Sequence, residues 1–411
     1  MMGLHLFSQH PKLAEQIQWV APKLPGFDFR EPRCETDFYG ASDEIARAIG
    51  IGDPPLSPGI WRHGWSFFPL TNAEAFAGFK ASERMHLVGT KKEEQFLLEA
   101  GYVNSRAVGV PYLYADCMPV ERMPNSVLVL PCHSLLEVRQ HEDKLRHEKE
   151  FAAWMRELRQ QYDCVCACVH GSCVRTGQWI EALEACSIPW ITGALQDDRN
   201  ALRRIRTMFN AFEVVLTNQV GSGIFYAAHD GARVAVCGPD AIAPPLAAFK
   251  DHPFYQKHPE MIELRKHGHP DVLRQRFPEI FVEPHAAILC KELAVQELGA
   301  AHLMNPFEIA RLLGWRPCDG DKDWSGQNRD EVRRALGWIP SSFGSSAELE
   351  ELGRLITKLK LSPDEVQRCL KEWKDLEKAA GKGNKAIREL DQIKRSRTWR
   401  WLGRRLFRME S

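Results

Sequence analysis

A Gly-Ser-Gly turn in the middle of the chain has the residue types of a phosphate-binding site. Gly221, Ser222 and Gly223 follow a β-rich run, 213–217, and precede an apolar stretch with the spacing of a short helix. A helix N-terminus carries about half a positive charge, and glycine lets a ligand come close to the backbone. The turn therefore predicts a site for a phosphate group. A tight turn with a helix cap is the alternative interpretation.

Polar and ionisable residues recur at the ends of five predicted strands that alternate with helices. The strands are 126–130, 164–169, 188–191, 213–217 and 232–237. Nearly continuous apolar runs of this kind predict a parallel sheet covered on both faces, in which ligands bind beyond the carboxyl ends of the strands. The residues that we predict to contact a ligand there are His133, Ser134, His170, Ser172, Thr217, Asn218, Gly221, Ser222 and Gly223.

A smaller α/β series precedes this one, and a histidine follows its first strand. Predicted strands at 59–62, 85–88 and 106–108 alternate with a helix at 91–100, and His63 follows the first strand. The sequence thus predicts an α/β fold with two Rossmann-like domains. The predicted division of the chain is 1–122, 123–318, a helical extension at 319–390 and a basic tail at 391–411.

Composition restricts the classes of function. Lys+Arg and Asp+Glu are both 54, so the chain has no overall positive field to attract nucleic acid. No apolar run has the length of a membrane span, and none at the N-terminus has the character of a signal peptide. The twelve cysteines form no CxxC pair, which favours reduced thiols in the cytoplasm and no metal site.

The C-terminal tail differs in kind from the rest of the chain. Residues 394–408 mix seven lysines and arginines with two tryptophans, two leucines and a phenylalanine. This mixture predicts contact with an anionic membrane surface. A basic helix packed on the protein, a disordered tail and an RNA-binding segment are the alternatives.

Several stretches together resemble one family, the GT-B-fold glycosyltransferases of bacterial surface polysaccharides, and among them the CMP-Kdo-dependent enzymes. They are HGW at 63–65, KKEEQFLLEAGY at 91–102, AVGVP at 107–111, LPCHS at 130–134, VHGSC at 169–173, DDRNALRR at 197–204, FEVVLTNQVGSGIFYAA at 212–228, ELG at 297–299 and LLGW at 312–315. The resemblance implies a two-lobed cleft, with a nucleotide sugar on the second domain and a glycan or glycolipid acceptor toward the first. It also implies a cytoplasmic enzyme, peripheral at the inner membrane.

Transfer of a sugar needs a stabilised leaving phosphate, a base for the acceptor hydroxyl and support for a cationic sugar carbon. We predict Asp198 as the catalytic carboxylate, a position that the resemblance also implies, with a helix cap as its alternative. His63 is predicted to bind the acceptor or assist proton transfer, and Trp65 stacks on a sugar or lies in the core. No DxD motif follows a strand, so no metal or other cofactor is expected.

Two other functions fit the same residues. One is a GT-B-shaped epimerase of nucleotide sugars, and the other is a non-catalytic partner in glycan assembly. The basic tail disfavours a soluble epimerase, which has no need of a membrane.

Overall fold

Two parallel β-sheets, of three and five strands, form the framework of the part of the chain that the structure describes. A computed structural model describes residues 4–132, 144–241, 246–250 and 253–315. His133, Ser134, the predicted extension at 319–390 and the tail with 394–408 lie outside these residues. The strands are β1 Ile60–Trp61, β2 His86–Val88, β3 Ser105–Ala107, β4 Met123–Leu130, β5 Cys164–Val169, β6 Trp190–Thr192, β7 Phe212–Thr217 and β8 Arg233–Val236.

Short helices connect and cover the strands. The α-helices are α1 Pro11–Gln16, α2 Ala41–Ala48, α3 Ala73–Phe76, α4 Lys91–Glu99, α5 Lys144–Glu157, α6 Gly171–Arg175, α7 Ile180–Ala185, α8 Ala201–Ala211, α9 Ser222–His229, α10 Pro253–Lys257, α11 Glu260–Leu264, α12 Pro270–Arg276, α13 Lys291–Leu298 and α14 Pro306–Leu312. Single 3-10 turns lie at Ala21–Lys23, Glu35–Gly40, Pro111–Tyr114, Leu158–Gln160, Leu246–Phe249, Arg265–Gly268, Pro278–Ile280, Pro284–Ala286 and Ala300–His302. None of the helices in the described ranges is long and apolar enough to span a bilayer.

The large sheet has the strand order β6-β5-β4-β7-β8, with every pair parallel. Leu128 and Val215 face a core that includes Phe209 and Phe225, whereas Val129 faces the opposite core. Both faces are therefore buried, as the continuous apolar runs predict. The chain moves outward from β4 to β6, then returns to place β7 on the other side of β4. The gap between the ends of β4 and β7 is a topological switch point.

The small sheet has the order β1-β2-β3, again parallel. Trp61 and Leu87 pack with α2 and α14, and the other face, with Val88, packs with α3 and α4. The end of the described chain thus returns to the core of the first sheet through α14 and Trp315. The predicted α/β class with two parallel sheets is confirmed at this level. The limits of the four predicted domains stay predictions.

The N-terminal segment lies along the edge of the large sheet. Ser8 N donates to Trp190 O over 2.9 Å, and Phe7 forms an antiparallel bridge with Ile191. A second bridge joins Phe29 to Asp198. These contacts cover an edge strand that would otherwise expose unpaired backbone groups. They also hold Asp198 in a turn before α8, which begins only at Ala201.

Candidate functional site

Thr217, the last residue of β7, and Asn218, which follows it, join the loops around the switch point. Thr217 Oγ1 donates to Leu130 O over 2.9 Å, which joins the ends of β7 and β4. Asn218 Oδ1 accepts from Cys132 N, and Asn218 Nδ2 donates to Pro239 O, both over 3.0 Å. Thr217 and Asn218 are buried, so their side chains hold three loops together instead of pointing toward a ligand. They shape the crevice in which we predicted that they contact a ligand.

The start of α9 faces this crevice with no side chain across it. Gly221 is extended, with φ −157°, and no side chain caps the helix. A Cβ atom on Gly221 would meet nothing within 4 Å, whereas one on Gly223 would lie 3.0 Å from Leu130 Cδ1. The first N–H groups of a helix lack intrahelical partners. Gly221 therefore leaves room for a ligand at these groups, and Gly223 lets α9 pack on β4.

The loop after β1 lies directly on this helix start. Ser222 Oγ donates to Trp65 O over 3.4 Å, and Tyr226 OH donates to His63 O over 3.3 Å. A Cβ atom on Gly64 would lie 2.6 Å from Ser222 Oγ, so the approach requires glycine. The carboxyl end of β1 in the small sheet thus meets the N-terminus of α9 in the large one.

Trp65, in the loop after β1, is held by side chains that belong to the large-sheet side. Its ring packs against Phe225 and Phe277, with centroids 4.7 and 5.8 Å away. Its Nε1 donates to Glu297 Oε2 over 2.5 Å, and Glu297 also pairs with Arg276 over 2.9 Å. This placement matches the core interpretation of Trp65. Glu297 and Arg276 were missed as individual residues, and the only sequence signal was the ELG stretch at 297–299.

His63 lies in a recess beside these contacts. Its ring is exposed to solvent, and the rings of Phe38 and Tyr39 have centroids 5.9 and 5.5 Å away. The surrounding protein lowers the pKa of His63 to about 4, first through burial and then through the charge of Arg62, with Glu35 opposing. Solvent reaches this ring although protein surrounds it, so the ring lines a recess. With a pKa of about 4, the imidazole is neutral near pH 7.

His170 and Ser172 lie at the same edge of the large sheet, after β5. Ser172 N and Ser172 Oγ both donate to His170 Nδ1, over 3.3 and 2.6 Å, so the histidine caps α6. Strands in a sheet are about 4.8 Å apart, so the end of β5 lies about 10 Å from the end of β7. The structure thus brings His170 and Ser172 to the edge of the crevice. Nδ1 of His170 is used there to cap α6.

Asp198 lies elsewhere and is completely buried. Its carboxylate pairs with the equally buried Arg204 and accepts from Asp28 N and Asn200 N over 3.0 and 3.1 Å. Both oxygens are therefore engaged, and solvent does not reach them. This placement gives no support to the catalytic role predicted for Asp198 and matches its alternative as a structural group at a helix start.

The described residues contain no group of three or more His, Cys, Asp or Glu side chains that could hold a metal ion. Asp197, the neighbour of Asp198, forms an ion pair with Arg175 over 2.8 Å.

Comparison of the chain with protein-family models, with curated proteins and with solved structures gives no match. The resemblance to GT-B glycosyltransferases therefore rests on the sequence stretches quoted above.

Proposed function

We propose that the recess between the two sheets binds a nucleotide-activated sugar, with a CMP-linked donor favoured, and that the protein is a metal-independent glycosyltransferase of the GT-B type. One observation carries the proposal. The loop 63–65 at the end of β1 lies on the open N-terminus of α9, at the switch point of the large sheet. A donor phosphate at α9 is then close to a histidine on the other lobe.

The reaction assigned to this arrangement has two parts. The N–H groups at the start of α9 bind the phosphate of the donor, and they stabilise the charge that develops there as its bond to the sugar breaks. An acceptor hydroxyl attacks the sugar carbon and gives its proton to the neutral imidazole of His63. A bound phosphate raises the pKa of His63 from about 4 toward the range where a general base is efficient.

The proposal extends to the partners of the enzyme. The acceptor is a glycan or glycolipid of the bacterial surface, and residues 394–408 hold the protein at the cytoplasmic face of the inner membrane. The bulky apolar and basic residues of this segment support that location.

Gly221→Asp tests the phosphate site. An aspartate at this helix-capping position is sterically free and is expected to raise the free energy of unfolding by about 0.5 kcal/mol. Its charge and volume occupy the space assigned to the phosphate, so the affinity for CMP is expected to fall at least about tenfold, or 1.4 kcal/mol. Calorimetry with CMP, UDP and GDP measures the affinities, and urea unfolding measures the stability.

Gly52→Asp is the matched control, because a Cβ atom there also meets nothing within 4 Å. It adds the same charge away from α9 and should leave CMP binding unchanged. If Gly221→Asp raises stability and leaves nucleotide affinity intact, the Gly-Ser-Gly turn is only a helix cap.

His63→Gln tests the base. The transfer rate is expected to fall by about 10²- to 10⁴-fold, while CMP affinity stays within about threefold. In the wild type, kcat/KM should decline as pH falls through about 4, because the free protein then protonates His63. The acid limb of kcat should lie at higher pH, since the bound donor phosphate favours the imidazolium.

The control for this variant is His285→Gln, which removes an exposed imidazole on the far side of β8 from the switch point. It should change neither rate nor pH profile. A His63→Gln protein that keeps the wild-type rate would remove His63 from the mechanism.

A further inference from the structure

Arg62, at the end of β1, has a guanidinium group with unused donors. Its backbone N donates to Leu87 O over 3.0 Å, which fixes the residue to β2. Its guanidinium lies 4.1 Å from the centroid of the Phe76 ring, and Nη1 donates to Phe76 O over 2.9 Å. Nε is buried without a partner, and none of the described residues accepts from Nη2. Arg62 is therefore held in place with part of its hydrogen-bonding capacity unsatisfied.

No carboxylate of the described chain lies within ion-pair distance of Arg62, and the two that influence it are engaged elsewhere. Glu93 Oε2 accepts from Thr90 N over 2.9 Å in the capping box of α4. Glu35 pairs with Lys80 over 3.1 Å. Burial accordingly lowers the pKa of Arg62, with Glu93 and Glu35 opposing the change from a greater distance. The positive charge is only partly balanced by the protein.

Other arginines of the described residues also have a buried Nε without a partner, but each of them pairs with a carboxylate: Arg47, Arg203, Arg204 and Arg206. Arg204 pairs with Asp198, and Arg199 pairs with Asp43 over 2.8 Å. Arg84, which also lacks a carboxylate, directs both Nε and Nη2 to Pro58 O over 3.0 and 2.8 Å. A buried guanidinium with an unpaired nitrogen costs stability unless a ligand supplies the missing acceptor. Arg62 has a buried Nε without an acceptor, whereas the Nε of Arg84 has one.

The position of Arg62 indicates that the missing ligand belongs to the acceptor substrate of the transfer. It precedes His63 directly, and its charge acts on the His63 ring. The donor phosphate is assigned to α9, on the opposite lobe. We propose that Arg62 binds an oxyanion, a phosphate or a carboxylate, carried by the acceptor, and so places an acceptor hydroxyl over His63. The planar guanidinium suits both groups, because each offers two oxygens to its donors. This inference rests on the proposed function, since it names the chemical class of that function's acceptor.

The test follows the His63 ring by NMR while inorganic phosphate is added to Gly221→Asp protein. In that background the α9 site is blocked, so a remaining response belongs to the Arg62 site. Phosphate is expected to raise the pKa of His63, with a dissociation constant on the order of 1 mM for a few charge-assisted hydrogen bonds. Glucuronate in place of phosphate distinguishes a carboxylate from a phosphate preference. The His63 signal is assigned by its loss in His63→Gln.

Arg62→Gln added to this background is expected to raise the pKa of His63 without ligand and to abolish the response to both anions. Arg84→Gln is the matched control and should keep the response. If Arg62→Gln does not fold, Arg62→Lys retains the charge but not the planar geometry, and its response should be about tenfold weaker.

The inference is overturned if neither anion changes the pKa of His63 in Gly221→Asp protein, or if Arg62→Gln responds as its parent does. The proposed function fails in a different way, by the absence of nucleotide binding to wild-type protein. An anion response without nucleotide binding would keep the Arg62 site and reject the donor site.

Discussion

Asp198→Asn is expected to lower the free energy of unfolding by about 3–5 kcal/mol, because it leaves Arg204 as a buried charge without its counter-ion. Both side chains of the pair are fully buried. The asparagine keeps the shape of the aspartate, so the loss reports charge and hydrogen bonding, not packing. Urea unfolding followed by circular dichroism measures the change. Asp197→Asn is the matched control, since it and its partner Arg175 form an ion pair that solvent reaches, and such pairs contribute about 0–1 kcal/mol.

A double variant separates a structural carboxylate from a catalytic one. Asp198→Asn combined with Arg204→Met removes both charges while the asparagine oxygen still accepts from Asp28 N and Asn200 N, and such replacements of buried pairs are often close to neutral. We expect the double variant to regain most of the stability that Asp198→Asn loses, and transfer activity to return with the fold. Should Asp198→Asn keep wild-type stability and lose only activity, the buried ion pair would not explain the residue and a catalytic role would be restored.

The strands of the large sheet could be predicted because each is an apolar run buried on both faces. Cys164–Val169 has the predicted limits, since polar residues flank it at both ends. Lys91–Glu99 ends one residue before the predicted limit, and its capping box, Thr90 with Glu93, is a local signal. The N-terminal segment gave no such signal, because its contacts with β6 are made by an irregular chain whose partners lie about 180 residues away.

The site could be predicted only where its position follows from strand ends. The loop 63–65 and the turn at 221–223 were found in this way, since both come directly after strands. Asp198 also follows a strand, but which way its carboxylate turns depends on Asp28, which lies 170 residues earlier. The contact between Trp65 and Glu297 spans 232 residues. Neither distance leaves a periodic pattern in a single sequence, so such pairs require the folded chain.

Gly299→Ala is expected to be the most damaging small substitution, with a loss of at least about 3 kcal/mol of unfolding free energy. Gly299 follows α13 with φ +71°, and a Cβ atom there would lie 1.8 Å from Gly89 O, a backbone atom at the end of β2. Two costs therefore add: about 1 kcal/mol for the left-handed conformation and the displacement of one backbone by the other. Chemical unfolding of the full chain measures the sum.

Gly101→Ala isolates the first of these costs. Gly101 lies just beyond the end of α4 with φ +89°, and a Cβ atom there meets nothing within 4 Å. It should lose only about 1 kcal/mol. The excess loss in Gly299→Ala then measures the close approach between α13 and the small sheet. Because Ala294 and Leu298 of α13 share a core with Phe225 of α9, this displacement should also weaken CMP binding at α9, whereas Gly101→Ala should not. Equal losses in the two variants would show that α13 does not approach Gly89 so closely, and that the position of α9 does not depend on this contact.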